Sequence, residues 1–506
     1  MLAQHLPILP LLIPLFAALL QLFPWGDNPQ FYRRIIGLVS CSGLIVVSVM
    51  LLLQADTATL VYAVGNWQAP YGIVLVVDRL AAMMVLLTAL LALPVLVFGC
   101  YGEDNLGSHF HALFQFQLLG ILGAFLTGDL FNLFVFFEVL LISSYALLMH
   151  GGGKQKLRAT LHYVLLNLAG SALFLISLGV LYGITGTLNM ADMALKVAAL
   201  SGDDAAIARI GGLVLLIVFG LKAALLPLYF WLPQAYANTT GTVAALFAIM
   251  TKVGIYAIIR VFTLIFGADA GLAAGLGYDW LWWLGLATLA VGGLGVLGSR
   301  DLRLAIAYLV VISVGTMLTT FSMANERAIS AVLYYLLHST LVTGALFLLV
   351  DVIAEQRGKT ASRIIKGRKL AQHGVLGLLF FVAAITVIGM PPLSGFVSKL
   401  FILEAARTGA QVALLWPLVL FSTFLGMIAL SRAGSRMFWH TLPGKATDIR
   451  HAAGQLATIA VLLIGALVLT VLAEPISAFT NAIAADLSHP QRYIDAVLQL
   501  TGGSYE

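Results

Sequence analysis

The sequence predicts an all-α protein that is embedded in a membrane. Only 10% of its 506 residues are charged, whereas soluble globular chains have roughly 25%. Hydrophobic residues make up 61% of the chain, and the mean hydropathy is +1.01. A single water-exposed domain cannot bury this much apolar surface, and long apolar helices need a lipid environment. The composition therefore excludes a soluble protein.

Apolar stretches of about 18 to 25 residues divide the chain into predicted transmembrane helices. The first stretch has no basic residues before it and no small-residue cleavage motif after it, so we interpret it as a retained helix and not as a signal peptide. The fourteen predicted spans are 6–23, 35–54, 79–100, 111–128, 130–149, 162–183, 210–232, 242–265, 279–298, 303–321, 328–350, 374–400, 410–430 and 456–473.

The distribution of basic residues predicts the orientation of these spans. The loops that follow odd-numbered spans hold 17 Lys and Arg residues, whereas the flanks on the other side hold 7. Because cytoplasmic loops carry the excess of Lys and Arg, both termini are predicted to lie outside the cell. The net charge of +5 is then a consequence of topology, and it does not indicate a nucleic-acid partner.

The sequence shows no pattern that is typical of cofactor binding or hydrolysis. Its two cysteines, Cys41 and Cys100, lie in or beside apolar stretches, and two such residues supply neither a disulfide framework nor a metal cage. Dinucleotide-binding, P-loop and zinc-protease motifs do not occur in the context that each requires. We therefore expect no cofactor, no resident metal ion and no enzymatic activity.

Five ionisable side chains lie within the predicted spans, and they are Glu138, Lys222, Lys252, His338 and Lys399. A Lys or an acid at the centre of a membrane helix costs roughly 2.5 to 3.5 kcal/mol. One acid cannot neutralise three lysines, so at least one Lys must be neutral or in contact with water. Such an arrangement is suited to proton transfer. The alternative is that each charge forms a structural ion pair or extends to the membrane surface, and Lys399, near the end of its span, fits this alternative best.

Two predicted spans contain prolines where a continuous helix would not tolerate them. The seventh span has Pro227 and Pro233, and the twelfth has Pro391, Pro392 and Gly395. Because the two breaks are five spans apart, the broken helices would run in opposite directions. This pattern is typical of an inverted repeat with a transport path at the breaks. Coincidental kinks are the alternative, and the intramembrane lysines close to both breaks disfavour it.

Four segments resemble the hallmark sequences of the proton-translocating antiporter-like family, and they read FFEVLLISSYALL, LKAALLPLYFWLPQAYANT, TKVGIYAIIR and MPPLSGFVSKLF. This family includes membrane-arm subunits of respiratory complex I and the Mrp (Pha) cation:proton antiporters. The length and the segment GNWQAPYGIVLVVDRL most resemble the D-type subunits of the Mrp antiporters. The resemblance covers nearly the whole chain.

The resemblance implies fourteen helices, with discontinuous seventh and twelfth helices. It also implies two inverted five-helix repeats, and the predicted regions are an N-terminal part, the two repeats and a C-terminal helix with its tail, at 1–110, 111–266, 267–436 and 437–506. Within the family pattern, Glu138 and Lys222 correspond to a coupled ion pair. Lys252, His338 and Lys399 continue that pair along a hydrated axis in the middle of the membrane.

The resemblance further implies a subunit of a multi-subunit antiporter that exchanges Na⁺ or K⁺ for H⁺ across the bacterial inner membrane. Its expected partners are a large A-type subunit, small hydrophobic subunits and membrane lipid. The same relay would also serve a proton-pumping subunit of a complex I or membrane-hydrogenase enzyme, and the physical properties of the spans do not separate these two functions. A third possibility is a passive scaffold whose buried charges only hold partner subunits.

Overall fold

The computed structural model describes residues 2–24, 28–442 and 446–499, and these are mostly helical, as predicted. Short 3₁₀ segments precede α1 and join α10 to α11. The α-helices in chain order are α1 (Leu9–Leu22), α2 (Pro29–Thr57), α3 (Arg79–Gly99), α4 (Phe110–Leu126), α5 (Leu130–Leu148), α6 (Lys154–Thr185), α7 (Met190–Ala199), α8 (Gly202–Ala223), α9 (Trp231–Ala237), α10 (Gly241–Leu246), α11 (Met250–Leu264), α12 (Tyr278–Gly298), α13 (Leu302–Phe321), α14 (Glu326–Arg357), α15 (His373–Ile388), α16 (Ser394–Ala405), α17 (Gly409–Gly434), α18 (Ala453–Val471), α19 (Ala473–Ser488) and α20 (Gln491–Leu498).

Helices of membrane-spanning length and hydropathy confirm the predicted fold class. Within the described residues, twelve helical segments meet both criteria, and two further apolar helices, α4 and α15, are shorter. Each predicted span coincides with one of these fourteen apolar helices. The count of fourteen complete crossings and the boundaries of the two repeats stay predictions.

Carboxylate side chains fix the starts of several spans. Asp78 accepts a hydrogen bond from the Ala81 amide, and Asp129 accepts one from the Asn132 amide. Each thereby satisfies a backbone N–H that has no partner within its own helix. Negative charge at this position also interacts favourably with the helix dipole. The starts of α3 and α5 are therefore set by the local sequence.

The two halves of the chain use the same backbone contacts to anchor corresponding helices. In each half, the residues just before a helix with an Asp cap (α5 or α13) pair antiparallel with the residues that follow the next helix (α6 or α14). The four hydrogen bonds, all of 2.9 Å, are Leu130 N to Leu188 O, Met190 N to Gly128 O, Leu302 N to Ser362 O and Ile364 N to Arg300 O. An internal repeat would produce this correspondence.

The most deeply buried helices cross the centre of the protein. The span Gly241–Leu264, which comprises α10 and α11, is buried completely by other parts of the chain, and α14 is buried almost completely. In contrast, only 39% of the residues in the apolar part of α6 are buried. Lys252 and Arg260 on α11 and His338 on α14 are therefore surrounded by protein and not by lipid.

Several small elements were not predicted. Two antiparallel strands, β1 (Leu60–Ala63) and β2 (Val74–Val77), form a hairpin between α2 and α3. The C-terminal region, predicted as a tail, forms α19 and α20. The apolar side of α20 includes Tyr493, whose ring lies 4.9 Å from the Arg260 guanidinium. These elements are too short or insufficiently apolar to be detected in a search for long apolar stretches.

Candidate functional site

The structure interrupts the predicted seventh span next to Lys222. Helix α8 ends at Ala223, and Ala224 follows in a left-handed conformation with φ of +66°. After Pro227 the chain resumes as a 3₁₀ turn and then as α9. Two backbone groups at this break form hydrogen bonds with side chains. The Leu221 carbonyl accepts from Trp231 Nε1 at 3.0 Å, and the Leu226 amide donates to the Thr288 hydroxyl at 2.9 Å. The backbone conformation at this break is therefore stabilised by hydrogen bonds to specific side chains.

The twelfth span is interrupted in a similar way at Pro391 and Pro392. Helix α15 ends at Ile388, and Gly389 follows with φ of +83°. Helix α16 then carries Lys399, whose ammonium group donates to the Ile388 carbonyl at 2.5 Å and to Thr423 at 2.7 Å. A cation at this point interacts favourably with the negative end of the α15 dipole. Lys399 is thus partly buried at the break and is not extended to the membrane surface.

Gly395 allows the two halves of this broken helix to approach each other closely. A Cβ atom at this position would collide with the Thr386 carbonyl oxygen and would lie 3.0 Å from the Gly389 Cα. It would also lie 3.1 Å from Cε1 of His338. Gly395 therefore has a steric reason to be glycine, and the close approach keeps α16 near His338.

Two side chains of α6 connect Glu138 to Lys222. Ser171 donates a hydrogen bond to the Glu138 carboxylate. One turn earlier, the Asn167 carboxamide oxygen accepts from the Lys222 ammonium at 3.2 Å. Ser171 also donates to the Asn167 backbone carbonyl at 3.0 Å. Glu138, Ser171, Asn167 and Lys222 thus form one continuous polar group within the membrane region.

The direct ion pair expected between Glu138 and Lys222 is absent from the structure. Among the residues that the structure describes, the contacts of Lys222 are the Asn167 oxygen and, 5.8 Å away, the ring of Phe137. The charge of Glu138 still acts electrostatically on Lys222. Asn167 and Ser171 separate the two charges because both project from the same face of α6, one turn apart.

Lys252 lies at the start of α11 and is the most isolated of the five groups. Its side chain has 0% relative exposure, and within the described chain its ammonium nitrogen has no hydrogen-bond partner. Two residues later, Gly254 permits contact with the broken helix, since a Cβ there would be 2.5 Å from the Ala223 amide. The backbone of α11 therefore touches α8 directly beside Lys222. A buried, unpaired ammonium is costly unless it exchanges its proton or meets water.

His338 and Lys399 share a small cavity. His338 is buried, and its Nδ1 lies 2.9 Å from the Ser394 hydroxyl at the start of α16. The cavity has a volume of about 20 Å³, and its polar lining includes Ser313, Ser339 and Thr423, so it has room for about one water molecule. The charges of Lys399 and Lys252 both act on His338. His338 therefore lies within electrostatic reach of both lysines.

The polar side chains of α13 mostly form hydrogen bonds within their own helix. The hydroxyls of Ser313, Thr316, Thr319 and Thr320 each donate to a backbone carbonyl three or four residues earlier. This is the ordinary behaviour of Ser and Thr in membrane helices. Of these four residues, Ser313 is the one that also lines the cavity beside His338.

Sequence reasoning missed Asn167 and Ser171, and it also missed a cluster around Asp104, in the loop between α3 and α4. Cys100, Asp104 and His111 place possible ligand atoms within 4.8 Å of one another, but Asp104 already forms an ion pair with Arg34 at 2.6 Å and contacts His111 at 3.0 Å. Burial alone would raise the pKa of Asp104, yet the hydrogen bonds from His111, Arg34 and Gln30 lower it below its ordinary value. This cluster acts as a structural ion pair.

The chain is similar to known antiporter subunits over almost its whole length. A protein from Rhizobium meliloti, named as the probable D-type subunit of a K(+)/H(+) antiporter, is 41% identical, with 98% of each chain covered. A protein from Bacillus subtilis, named as the D-type subunit of an Na(+)/H(+) antiporter, is 38% identical, with 97% of this chain and 99% of the relative covered.

Solved structures agree with these relatives. A chain of the Mrp complex from a Dietzia species has a TM-score of 0.88 and 25% identity, covering 98% of this chain and all of the other. A chain of an archaeal membrane-bound sulfane sulfur reductase, with 26% identity and the same coverage, has a TM-score of 0.85. Residues 127–426 match the family described as "NADH:quinone oxidoreductase/Mrp antiporter, TM". The chain therefore belongs to this family and, within it, to the D-type subunits of Mrp-type antiporters, whose members are parts of transporters and not enzymes.

Proposed function

We propose that this antiporter subunit carries protons across the bacterial inner membrane along a row formed by Glu138, Lys222, Lys252, His338 and Lys399, in exchange for Na⁺ or K⁺ moved by the assembled complex. One observation carries the proposal. Glu138 and Lys222 are linked by neutral polar side chains, and among the described residues none of the five ionisable groups is neutralised in a direct ion pair. An ion-paired scaffold would give the opposite arrangement.

In this mechanism, a proton that reaches Glu138 weakens the attraction that this carboxylate exerts on the Lys222 ammonium. Ser171 and Asn167 transmit the change, since each contacts one member of the pair. Lys222 then exchanges a proton with the neighbouring Lys252, which has no partner of its own among the described residues. The charge on Lys252 acts in turn on His338, and the proton passes through the shared cavity to Lys399.

A larger cavity offers an exit beyond Lys399. It has a volume of about 370 Å³ and includes Glu404 and Glu326 in its lining. Glu404 follows Lys399 by five residues on α16, a distance of about 7.5 Å along a helix. Both glutamates lie on the side of the membrane that is predicted to face the exterior of the cell. The row therefore continues from the middle of the membrane toward the predicted external surface.

The start of the row lies at the surface of the isolated chain. Glu138 is only partly buried, and Val135 and Ile142, which flank it by about one turn on α5, are 39% and 65% exposed. A partner subunit that covers this face would complete the environment of Glu138. Multi-subunit assembly with a large A-type subunit and small hydrophobic subunits is consistent with this exposed face.

The test is antiport by the complete complex in everted vesicles or proteoliposomes. Lys222→Ala and Glu138→Ala should abolish cation-driven collapse of the pH gradient while all subunits still co-purify. Lys196→Ala and Glu474→Ala are matched controls, because both residues have exposed side chains outside the row, and they should leave transport unchanged. Normal transport by assembled Lys222→Ala or Glu138→Ala complexes would rule out the relay and favour the passive scaffold.

A second candidate function is the same relay in a redox-driven proton pump. The similarity to a chain of an archaeal respiratory complex favours it. The subunits that co-purify decide between the two functions. Small hydrophobic subunits would support the antiporter, whereas iron–sulfur and quinone-binding subunits would support the pump.

A further inference from the structure

A polar groove opens on the protein surface between the first turns of α6 and the end of α9. Its volume is about 660 Å³, and its polar lining is formed by Gln155, Arg158, His162, Gln234 and Asn238. None of these residues belongs to the proposed proton row. The groove lies between α6, which has many exposed residues, and α9, which is the second half of the broken seventh span.

The charge of this groove favours an anionic ligand. In the described parts of the chain, no Asp or Glu lines the groove, and neither Arg158 nor His162 forms an ion pair or side-chain hydrogen bond. A guanidinium group holds phosphate with two parallel hydrogen bonds. The carboxamides of Gln155 and Gln234 supply further N–H donors. The groove thus presents several donors and one permanent positive charge.

An apolar track continues from the groove along α6. Leu161, Leu165 and Leu168 are 57%, 59% and 62% exposed, and their spacing places them on one face of the helix. From Leu161 to Leu168 the track extends about 10 Å toward the membrane centre. A free phosphate would not use this surface, whereas an acyl chain would cover it.

We propose that this groove binds an anionic phospholipid, with its phosphate on Arg158 and His162 and an acyl chain along the three exposed leucines. Basic pockets between membrane helices on the cytoplasmic side commonly bind anionic headgroups, and the basic residues around α6 predict that this end faces the cytoplasm. The bound lipid bridges α6, which carries Asn167, to α9. This proposal does not depend on the proton row.

The experiment titrates phosphatidylglycerol into the purified, fully assembled complex and counts bound lipids by native mass spectrometry. Phosphatidylcholine is the neutral comparison, and glycerol phosphate tests the headgroup alone. Arg158→Gln removes the central charge. Lys154→Gln is the matched control, because it removes a positive charge one turn earlier on α6 without changing the groove lining.

Arg158→Gln should weaken phosphatidylglycerol binding about fivefold, while Lys154→Gln stays within about twofold and phosphatidylcholine binding is unchanged in both. Glycerol phosphate should not displace the lipid. Equal effects of the two substitutions would overturn the proposal. Displacement by glycerol phosphate would also overturn it, in favour of a site for free phosphate. A photo-reactive amino acid in place of Gln155 should capture lipid, and capture of a partner subunit would overturn the proposal by showing that the groove is a protein interface.

Discussion

Removing the carboxamide of Asn167 should slow transport strongly, because it is the hydrogen-bond acceptor for the Lys222 ammonium. The contact is 3.2 Å long and lies in a fully packed part of the membrane region. Hydrogen bonds to charged groups contribute about 1.5 to 3 kcal/mol. Since 3.2 Å is at the long end of the usual range, we take the lower part of that interval, about 1.5 to 2 kcal/mol.

This free energy corresponds to a rate effect of about 10- to 30-fold, because each 1.36 kcal/mol changes a rate tenfold. The assay measures the initial rate of cation-driven proton movement in proteoliposomes that contain the complete complex. Asn167→Ala should show the full decrease. Asn167→Asp should also be slow, because a carboxylate at this position would hold the Lys222 proton.

Asn105→Ala is the matched control, since Asn105 is exposed in the loop between α3 and α4 and should have no effect. Co-purification of all partner subunits separates a transport defect from an assembly defect. An Asn167→Ala complex that assembles fully and transports within about twofold of the unaltered complex would refute the role of this contact. If Asn167→Asp also transported normally, Asn167 would be a packing residue only.

Three other substitutions test separate parts of the argument. Gly395→Ala should lower the free energy of unfolding by about 1–3 kcal/mol because the new methyl group is overpacked. Gly374→Ala is the control, since a methyl group there would point into open space, and it should leave the free energy of unfolding unchanged. Equal melting temperatures of the two variants would contradict this prediction. Lys252→Met should abolish transport while the melting temperature of the complex stays the same or rises, because an apolar side chain replaces an unpaired buried charge. A large fall in the melting temperature would show that Lys252 has a structural role. Asp104→Asn should cost about 1–2 kcal/mol, because Arg34 loses its partner but keeps partial access to water. The lowered pKa of Asp104 means that its stabilising effect is complete above the ordinary Asp pKa of about 3.9 and is lost only as the pH falls toward the lowered value. Because histidine side chains change charge between about pH 5 and 8 and His111 contacts Asp104, the comparison is made from about pH 8 to 9. The difference between Asp104→Asn and the unaltered complex should be constant there, and a difference that changes over this range would contradict the assignment.

The features that the sequence predicted correctly depend on local chemistry. Long apolar stretches determine where helices lie in a membrane, and prolines such as Pro227 and Pro392 disrupt a helix wherever they occur in its interior. The ionisable residues were recognisable because charges are rare in such stretches. The family resemblance then supplied the order of the proposed row, which stays a prediction.

The features that were missed depend on contacts between helices. Asn167 and Ser171 are ordinary polar residues in the sequence of α6, and only the packing of α5, α6 and α8 places them between Glu138 and Lys222. For the same reason, the sequence did not indicate that side chains of α6 lie between Glu138 and Lys222. A signal was present in the sequence, because Tyr163, Asn167 and Ser171 recur every four residues on one helix face. Its meaning required the partner helices.

The glycine contacts limit how this protein can move. Gly254 lets α11 rest on the main chain of α8 near Lys222, and a Cβ atom at Gly315 of α13 would lie 2.5 Å from the Leu289 amide of α12. Helices whose main chains touch have no side-chain layer that could deform as they slide, and dense interiors resist such displacement. Each of these contacts lies within one half of the chain, so sliding of helices inside either half would have to break it. Within each half, rotation of individual side chains around a fixed helical framework is the motion that this architecture permits most readily.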